Sequence, residues 1–535
     1  MQVTFLGHAG MRIDAPELRL VLDPWLNRQG AFFGSWFQFP RNDHLDREAV
    51  LDCDWVTVSH DHLDHLDMET LRRLPASATV LIPSYQSPNL RRRLAEAGFS
   101  RVLEVGAWER YPLNDEGDWL TFIPEEAPMC QDAAVLVSAG GASVLHCNDA
   151  RLTQAQGRKA VIELGAPIDV MAVQTSGASW HPICYEYPAD VITQISAQKR
   201  LAKFRAVRGL VRAVQPRLAV PFAGPPCFLD PALAHHNRSI PAPGVFPDQA
   251  QAAHWLAAHL PGQEVRHFLP GDVWEPRAER YRPDPIWDGF SYGTEPADGG
   301  ATGSFEILGA YLDAYSDARR GEIEALYAAH PDPGADFADR FADHVARLGE
   351  LSPWFLEQID MTVRFEVGGP DGGRWDAVFS PDGARVDLKA RATSVNYRFA
   401  VDGRWLAPVV DGRAGWEDLL LSLRVSAWRD PDVYNDYLIG LLKHADAGVL
   451  RAVEAYETAE REQETVVIEA NGSRYEVSRY CPHAGEDLGL GAVVVDGGVL
   501  RCLGHNYEFD LETGACINAR CQPIKSHCLE TLGSL

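Results

Sequence analysis

Lysine is almost missing from this 535-residue chain: it supplies six of the 49 basic residues, which stand against 75 acidic ones. The net charge of −26 argues against duplex nucleic acid or an anionic membrane as a partner, because both bind basic surface. The arginine bias itself says nothing about mechanism. There is no run of about eighteen apolar residues, so no transmembrane helix is expected. Met1 to Ile13 alternates like a first strand and lacks a basic leader, so no secretory signal is expected. Ten cysteines are too few at this length for a disulfide scaffold. Most read as reduced, buried thiols, and the cytoplasm is the expected location. No Gly-rich dinucleotide motif follows a strand, so the chain is not expected to take electrons from NAD(P)H by itself. Internal repeats and low-complexity tracts are also missing.

What is present is an ordinary globular composition, 46% apolar and 23% charged, at a length that suggests three or four domains. Up to about Trp274, strand-like runs alternate with helical stretches. The strands are expected at Val3-Leu6, Arg19-Leu22, Trp55-Val58, Thr79-Ile82, Leu120-Ile123, Ala134-Val137, Ser143-Leu145 and Leu218-Val220. Met68-Leu74, Ser87-Ala97 and Val191-Val214 read as helices. That order predicts an αββα sandwich over 1–276. Residues 277–303, rich in Pro, Gly and Asp, read as a linker. A middle α+β scaffold is expected over 304–463, with helices near Tyr311-His330, Ala335-Leu348 and Trp416-Trp428 and strands near Met361-Val367 and Arg385-Ala390. From 464 to 535, short strands broken by Asn-Gly and Gly-Gly turns indicate a small all-β unit. The fold class is therefore α/β multidomain.

Ser59-His60-Asp61-His62-Leu63-Asp64-His65 follows the buried run Trp55-Val56-Thr57-Val58. Ligands two apart on an extended segment can turn toward one ion, and Asp64 and His65 then face a neighbouring one. Imidazole with carboxylate suits zinc or iron better than calcium. Asp23, ending the run Val21-Leu22-Asp23, is placed to orient a ligand from behind. The competing reading is a polar loop that happens to be rich in histidine.

The pattern resembles the metallo-β-lactamase superfamily over about residues 1–275. The resemblance implies that Asp149, in Leu145-His146-Cys147-Asn148-Asp149, bridges two metals. Pro221-Phe222-Ala223-Gly224 stands where hydrolases carry a late metal-binding His, and in this it is similar to the CMP-N-acetylneuraminate hydroxylase family. The His usually found some twenty residues before Asp149 is also absent, and Pro128-Met129-Cys130 occupies that region. Glu125 or Glu126 is an alternative carboxylate ligand, and His181 or His8 an alternative approaching from a loop. Without any of them, His60, His62 and Asp149 still make a two-His-one-carboxylate face suited to non-haem iron and O2.

Cys481-Pro482-His483 and Cys502-Leu503-Gly504-His505 have the spacing of a Rieske [2Fe–2S] centre, two thiolates on one iron and two imidazoles on the other. A zinc site is the alternative, but zinc ribbons use Cys-x-x-Cys. No cysteine pair is placed to bridge the two loops, as in soluble ferredoxin-type units. Cys516, Cys521 and Cys528 lie beyond the loops and read as packed thiols.

Lys199, Arg200, Lys203, Arg205, Arg208 and Arg212 give one basic helix, either a solvated face or an anchor for an anionic substrate or acidic redox partner. Ser176-Gly177-Ala178-Ser179-Trp180-His181-Pro182 has the mixture of Gly, Ser and aromatic expected of a substrate loop, with Trp180, His181, Lys199 and Lys203 as candidate substrate contacts and His181 as a catalytic candidate beside Asp149. It equally suits a plain surface turn. Trp416-Glu417-Asp418 to Arg429-Asp430-Pro431 is similar to the corresponding part of the sialic acid hydroxylases.

These residues together lead us to expect a Rieske-coupled non-haem iron monooxygenase. Its metal set is His60, His62, Asp64, His65, Asp149 and Glu126, supported by Asp23 and His8. One inserted oxygen atom consumes two external electrons, and a [2Fe–2S] cluster passes one per cycle, so two irons are favoured over one. The resemblance to the CMP-N-acetylneuraminate hydroxylases implies a nucleotide sugar as substrate, with another polar small molecule such as an amine as the alternative. The expected electron donor is an external ferredoxin or flavoprotein reductase, and a homo-oligomer is admissible. The rivals are a metal-dependent hydrolase with a redox-sensing Rieske unit, and a non-catalytic electron-transfer subunit.

Overall fold

In the computed structural model the chain forms two compact units. The first is Met1–Glu125, Gln131–Ser179 and Val207–Ala329; the second is Glu126–Cys130, Trp180–Ala206 and His330–Leu535. The structure describes residues 1–126, 129, 131–177, 179–241, 244–290, 301–459, 464–482, 485–495, 497–504 and 506–531, without the side chains of 301–307 and 530–531.

Two sheets make the first unit. One has strands β1 (Gln2–Gly7), β2 (Gly10–Ala15), β3 (Leu18–Leu22), β4 (Trp55–Thr57), β5 (Thr79–Pro83) and β6 (Val102–Val105) in sequential order. The other has β7 (Tyr111–Pro112), β8 (Trp119–Pro124), β9 (Ala133–Ala139), β10 (Ala142–His146), β11 (Val170–Gln174), β12 (Leu218–Phe222) and β13 (Glu264–Val265), also in sequential order. Strands β14 (Val273–Glu275) and β15 (Arg280–Arg282) return to the first sheet beside β1. Arg280–Arg282 thus forms an edge strand within the Pro- and Gly-rich stretch.

The sheets face each other through a core that includes Phe5, Ile13, Leu20, Phe122, Val135 and Val220. Leu51, Leu71 and Leu94 cover the outer face of the first sheet, and Ala160, Leu210 and Leu256 that of the second. Helix, sheet, sheet and helix therefore stack in four layers, with apolar residues buried on both faces of each sheet. β3 to β6 and β10 to β13 run parallel, so the carboxyl ends of neighbouring strands line one rim of each sheet.

In the second unit β16 (Met361–Gly368), β17 (Gly373–Ser380), β18 (Gly383–Asp387), β19 (Tyr397–Asp402) and β20 (Val425–Arg429) form one sheet, ordered β18-β17-β16-β19-β20. The helix Phe337–Gly349 buries Phe337, Phe341, Val345 and Leu348 at helical spacing, with Phe341 against Phe365 and Trp375. The helix expected over 416–428 ends at Leu421. Leu423 takes a left-handed conformation with φ 56°, and the alternating burial of Val425, Ala427 and Arg429 makes a strand paired with β19. Alternation with a period of two outweighed helical propensity there.

Two three-stranded sheets end the chain: β21 (Thr465–Ala470), β22 (Ser473–Ser478) and β26 (Ser526–Thr531), and β23 (Ala492–Val495), β24 (Val499–Cys502) and β25 (Glu508–Asp510).

Candidate metal centre and cluster loops

Strand ends gather the candidate ligands of the first unit. His60 to His65 follow β4, Asp23 follows β3, His8 sits in the β1–β2 turn and Asp149 lies just past β10. His8, Asp23, Asn148 and Ala223 all adopt φ between 41° and 54°, a region that costs a non-glycine residue roughly 1–2 kcal/mol. Such strain collected at one rim is typical of sites whose side chains must be aimed.

Asp23 is the organiser. Its Oδ2 accepts from His65 Nδ1 at 2.7 Å, and its Oδ1 accepts from Ser59 N at 2.9 Å. The Ser59 hydroxyl also donates to Asp23. That hydroxyl lies 2.9 Å from His60 Nδ1, so with its own proton on Asp23 it accepts from the imidazole. One carboxylate thereby fixes two rings and leaves both Nε2 atoms as donors toward an ion.

His65 Nε2 then lies 3.3 Å from Asp149 Oδ1 and 3.9 Å from Asp64 Oδ2. Among the described residues, His65 Nε2, Asp149 Oδ1 and Asp64 Oδ1 are buried without a hydrogen-bond partner. His8 Nε2 bonds Asp64 Oδ2 at 2.8 Å. His60 Nε2 is 2.8 Å from His62 Nδ1 and 3.5 Å from Asp132 Oδ1. Donor atoms of His8, Asp64 and His65, of Asp23, His60 and His65, and of His60, His62 and Asp132 fall within 4.8 Å of one another in each set. Buried lone pairs facing carboxylates call for a cation, and the N/O donor set is that of iron or zinc. The residues present fit such an ion.

Electrostatics follow the same geometry. Burial alone would discharge His65, yet Asp149 and Asp64 outweigh it and raise its pKa well above the ordinary value. Burial also opposes charge on Asp64 and Asp149, but His65 reverses it and both pKa values fall. His146 keeps the opposite state. Burial lowers its pKa to about 4, and its Nε2 bonds Ala9 O at 2.6 Å.

Asp132 escaped the sequence reading, although a signal was available. The β9–β10 hairpin turns at Gly140-Gly141 and pairs Val135 with His146. Counting three residues outward from that pair on each strand arrives at Asp132 and Asp149. Asn148 Nδ2 to Ala133 O, at 2.8 Å, ties the two ends.

Glu125 is engaged by Arg151 at 2.7 and 3.2 Å, and Glu126 is exposed and groups with the second unit. Pro128 and Cys130 lie outside the described residues. Gly224 packs on Ser176, where an added Cβ would come within 2.9 Å of the Ser176 Cβ.

Trp180, His181, Lys199 and Lys203 belong to the second unit. There His181 is buried, with Nε2 3.3 Å from Arg429 Nη2 and 3.4 Å from Tyr187 Oη. Lys199 Nζ donates to His181 O at 3.2 Å. Burial, then the charges of Lys199 and Arg429, keep His181 neutral by lowering its pKa well below the usual value. Trp180 Nε1 is buried, and Lys203 is half-buried.

The two cluster loops are built alike. Cys481 N donates to Glu486 O at 2.8 Å and Gly485 N to Cys481 O at 2.9 Å; Cys502 N donates to Tyr507 O at 2.9 Å and Asn506 N to Cys502 O at 3.0 Å. Gly485 and Asn506 occupy the same position in each loop, both left-handed, with φ 70° and 64°. An added Cβ at Gly504 would meet Cys502 Sγ at 3.5 Å and Glu486 Oε2 at 3.6 Å, so the loops run side by side. Cys481 and Cys502 are buried; His483 and His505 lie outside the described residues.

Fold and motifs define a β-lactamase superfamily domain joined to a Rieske [2Fe-2S] domain, and those two families match residues 18–207 and 442–528. A Rieske 2Fe-2S iron-sulfur protein of Mycobacterium tuberculosis is 31% identical over 98% of this chain and 99% of its own length. The chain belongs to that family of Rieske iron-sulfur proteins. The cytidine monophosphate-N-acetylneuraminic acid hydroxylase of Gorilla gorilla gorilla is 28% identical over 42% of this chain and 37% of its own. CmlA, a diiron β-hydroxylase from Streptomyces venezuelae, aligns in structure with a TM-score of 0.35 and 18% identity, over 53% of this chain and 54% of that one. Among the described residues no helix is long and apolar enough to cross a membrane.

Proposed function

We propose that this protein is a Rieske-coupled non-haem iron monooxygenase. The supporting observation is the orientation of His65, with Nδ1 bonded to Asp23 and Nε2 turned to Asp149 and Asp64. This donor array lies in a chain that also carries a Rieske domain, and the name of one relative, a hydroxylase, agrees with oxidative rather than hydrolytic chemistry.

His60, His62 and Asp132 would hold one iron, and His65, Asp64 and Asp149 a second, with Asp149 as the candidate bridge. Bound iron would supply oxygen activation and the [2Fe–2S] cluster single electrons. The residues do the remaining work. Asp23 keeps the Nδ1 protons of His65 and, through Ser59, of His60 away from the ion, and His8 holds Asp64. Burial excludes water and strengthens each of these interactions. Two electrons per oxygen atom inserted favour a two-iron site.

The substrate class is a polar small molecule such as a nucleotide sugar or amine, with Trp180, His181, Lys199 and Lys203 as its candidate contacts. An external ferredoxin or flavoprotein reductase in the cytoplasm completes the electron supply. The domain boundaries 1–276, 304–463 and 464–535 belong to the same proposal.

Oxygen uptake by chemically reduced holoprotein tests this reading. Uptake should stop in His60→Ala while the Rieske spectrum persists. Turnover by zinc-loaded protein without reductant or oxygen would overturn it in favour of a hydrolase.

A further inference from the structure

β5 runs parallel to β4, so the segments leaving the two strands lie side by side. The segment after β4 carries Ser59-His60-Asp61-His62. The segment after β5 carries Tyr85 and then the helix Asn89–Glu96, anchored by buried Leu90 and Leu94. Two of its side chains reach the backbone of the histidine segment. Tyr85 Oη donates to Ser59 O at 2.5 Å, and Arg93 Nη1 donates to Asp61 O at 2.7 Å. These are the carbonyls of the two peptide units whose nitrogens belong to His60 and His62. The oxygenase reading uses neither Tyr85 nor Arg93.

We propose that Tyr85 and Arg93 are positioning residues that clamp the backbone of His60 and His62 for metal binding. Their role rests on the metal reading of the first unit and not on which reaction follows there.

The rings show why the backbone must be held. His60 Nε2 and His62 Nδ1 come within 2.8 Å of each other. Nδ1 is bonded to the ring carbon that joins the side chain, whereas Nε2 lies across the ring. The two atoms therefore converge only while the His60 and His62 backbones stand at different depths, and rotation of either peptide separates them. The N–H and the hydroxyl of Ser59 are already engaged by Asp23. Tyr85 takes its carbonyl from the other side, with a half-buried ring packed against both the inner and the outer core of the first sheet. Arg93, also half-buried, holds the next peptide but one in the same way. Charge does not account for a guanidinium here, since it repels a neighbouring cation; the hydrogen bond to Asp61 O does.

The test uses protein whose N-terminal site is depleted by mild chelation that leaves the cluster spectrum intact. Isotopically enriched Fe(II) is then titrated in anaerobically, and Mössbauer spectra read only the iron taken up. Tyr85→Phe keeps the packed ring and loses the hydroxyl; Arg93→Met keeps the stem and loses the donor and the charge. Each should bind iron about 10- to 100-fold more weakly and shift its quadrupole doublet, while circular dichroism shows the parental fold. Removing a positive charge would by itself tighten cation binding, so weaker uptake by Arg93→Met isolates the hydrogen bond. The proposal is overturned if Tyr85→Phe keeps the parental affinity and doublet, or if Arg93→Met binds iron as tightly as the parent or more tightly. A parent protein that takes up no iron at this site refutes the metal reading itself, which is a separate and recognisable failure.

Discussion

Asp23 and His65, both fully buried, are joined by a 2.7 Å hydrogen bond from the ring Nδ1 to the carboxylate. This bond selects the tautomer that turns Nε2 toward Asp149 and Asp64. Replacing Asp23 with Asn keeps the volume but removes the charge. Iron titration of Asp23→Asn should show affinity at the N-terminal site reduced about 10- to 100-fold. The Rieske spectrum should be unaltered, and unchanged iron affinity would remove Asp23 from the account.

Asp132 and Glu126 make opposite predictions. Asp132 Oδ1 lies 3.5 Å from His60 Nε2, whereas Glu126 is exposed. Elemental analysis of Asp132→Asn should find about one iron per chain beyond the cluster instead of two, and Glu126→Gln should match the parent protein. The reverse result would restore the carboxylate first favoured from the sequence.

Much of this architecture was legible from periodicity and spacing. The run Trp55-Val56-Thr57-Val58 ending in Ser59-His60 marked a core strand delivering ligands, and the structure ends β4 at Thr57. The cysteine and histidine spacing marked the Rieske unit, matched over 442–528. Asp132 was missed because its place beside His60 arises through pairing across a hairpin, and no local pattern of residues around it signals a ligand. The helix expected through Trp428 failed for the complementary reason. Arg429 is buried by tertiary contacts, stacked 4.7 Å from the Tyr185 ring, and composition alone does not place a buried arginine on a strand.

Asn506 holds a left-handed φ of 64° in the second cluster loop, where the first loop has Gly485. Asn506→Gly should load cluster normally, because glycine adopts this conformation without strain. Asn506→Val should lose cluster, read from visible absorbance and electron paramagnetic resonance, since a β-branched residue is strongly disfavoured there. Equal loading of the two variants would contradict this description of the loop.

His344 predicts a pH dependence. Trp416 Nε1 donates to its Nε2 at 2.9 Å, and burial, then Arg347, lower its pKa from 6.5 to about 4. Between those values the unfolded chain binds the proton and the folded chain does not, so stability falls as pH drops from 6.5 toward 4 and is fully present above 6.5. Thermal denaturation of His344→Gln should lose less stability across that window than the parent, by on the order of 1–3 kcal/mol. Parallel curves would refute the assignment.

The central claim is that a one-electron Rieske cluster serves a separate oxygen-reactive iron site. Iron analysis with Mössbauer spectroscopy on anaerobically purified protein tests it most directly. The account predicts four irons per chain, two in the cluster and two with N/O ligands lost in the double variant His60→Ala/His65→Ala. Two irons per chain, with zinc alone in the N-terminal unit, would contradict it.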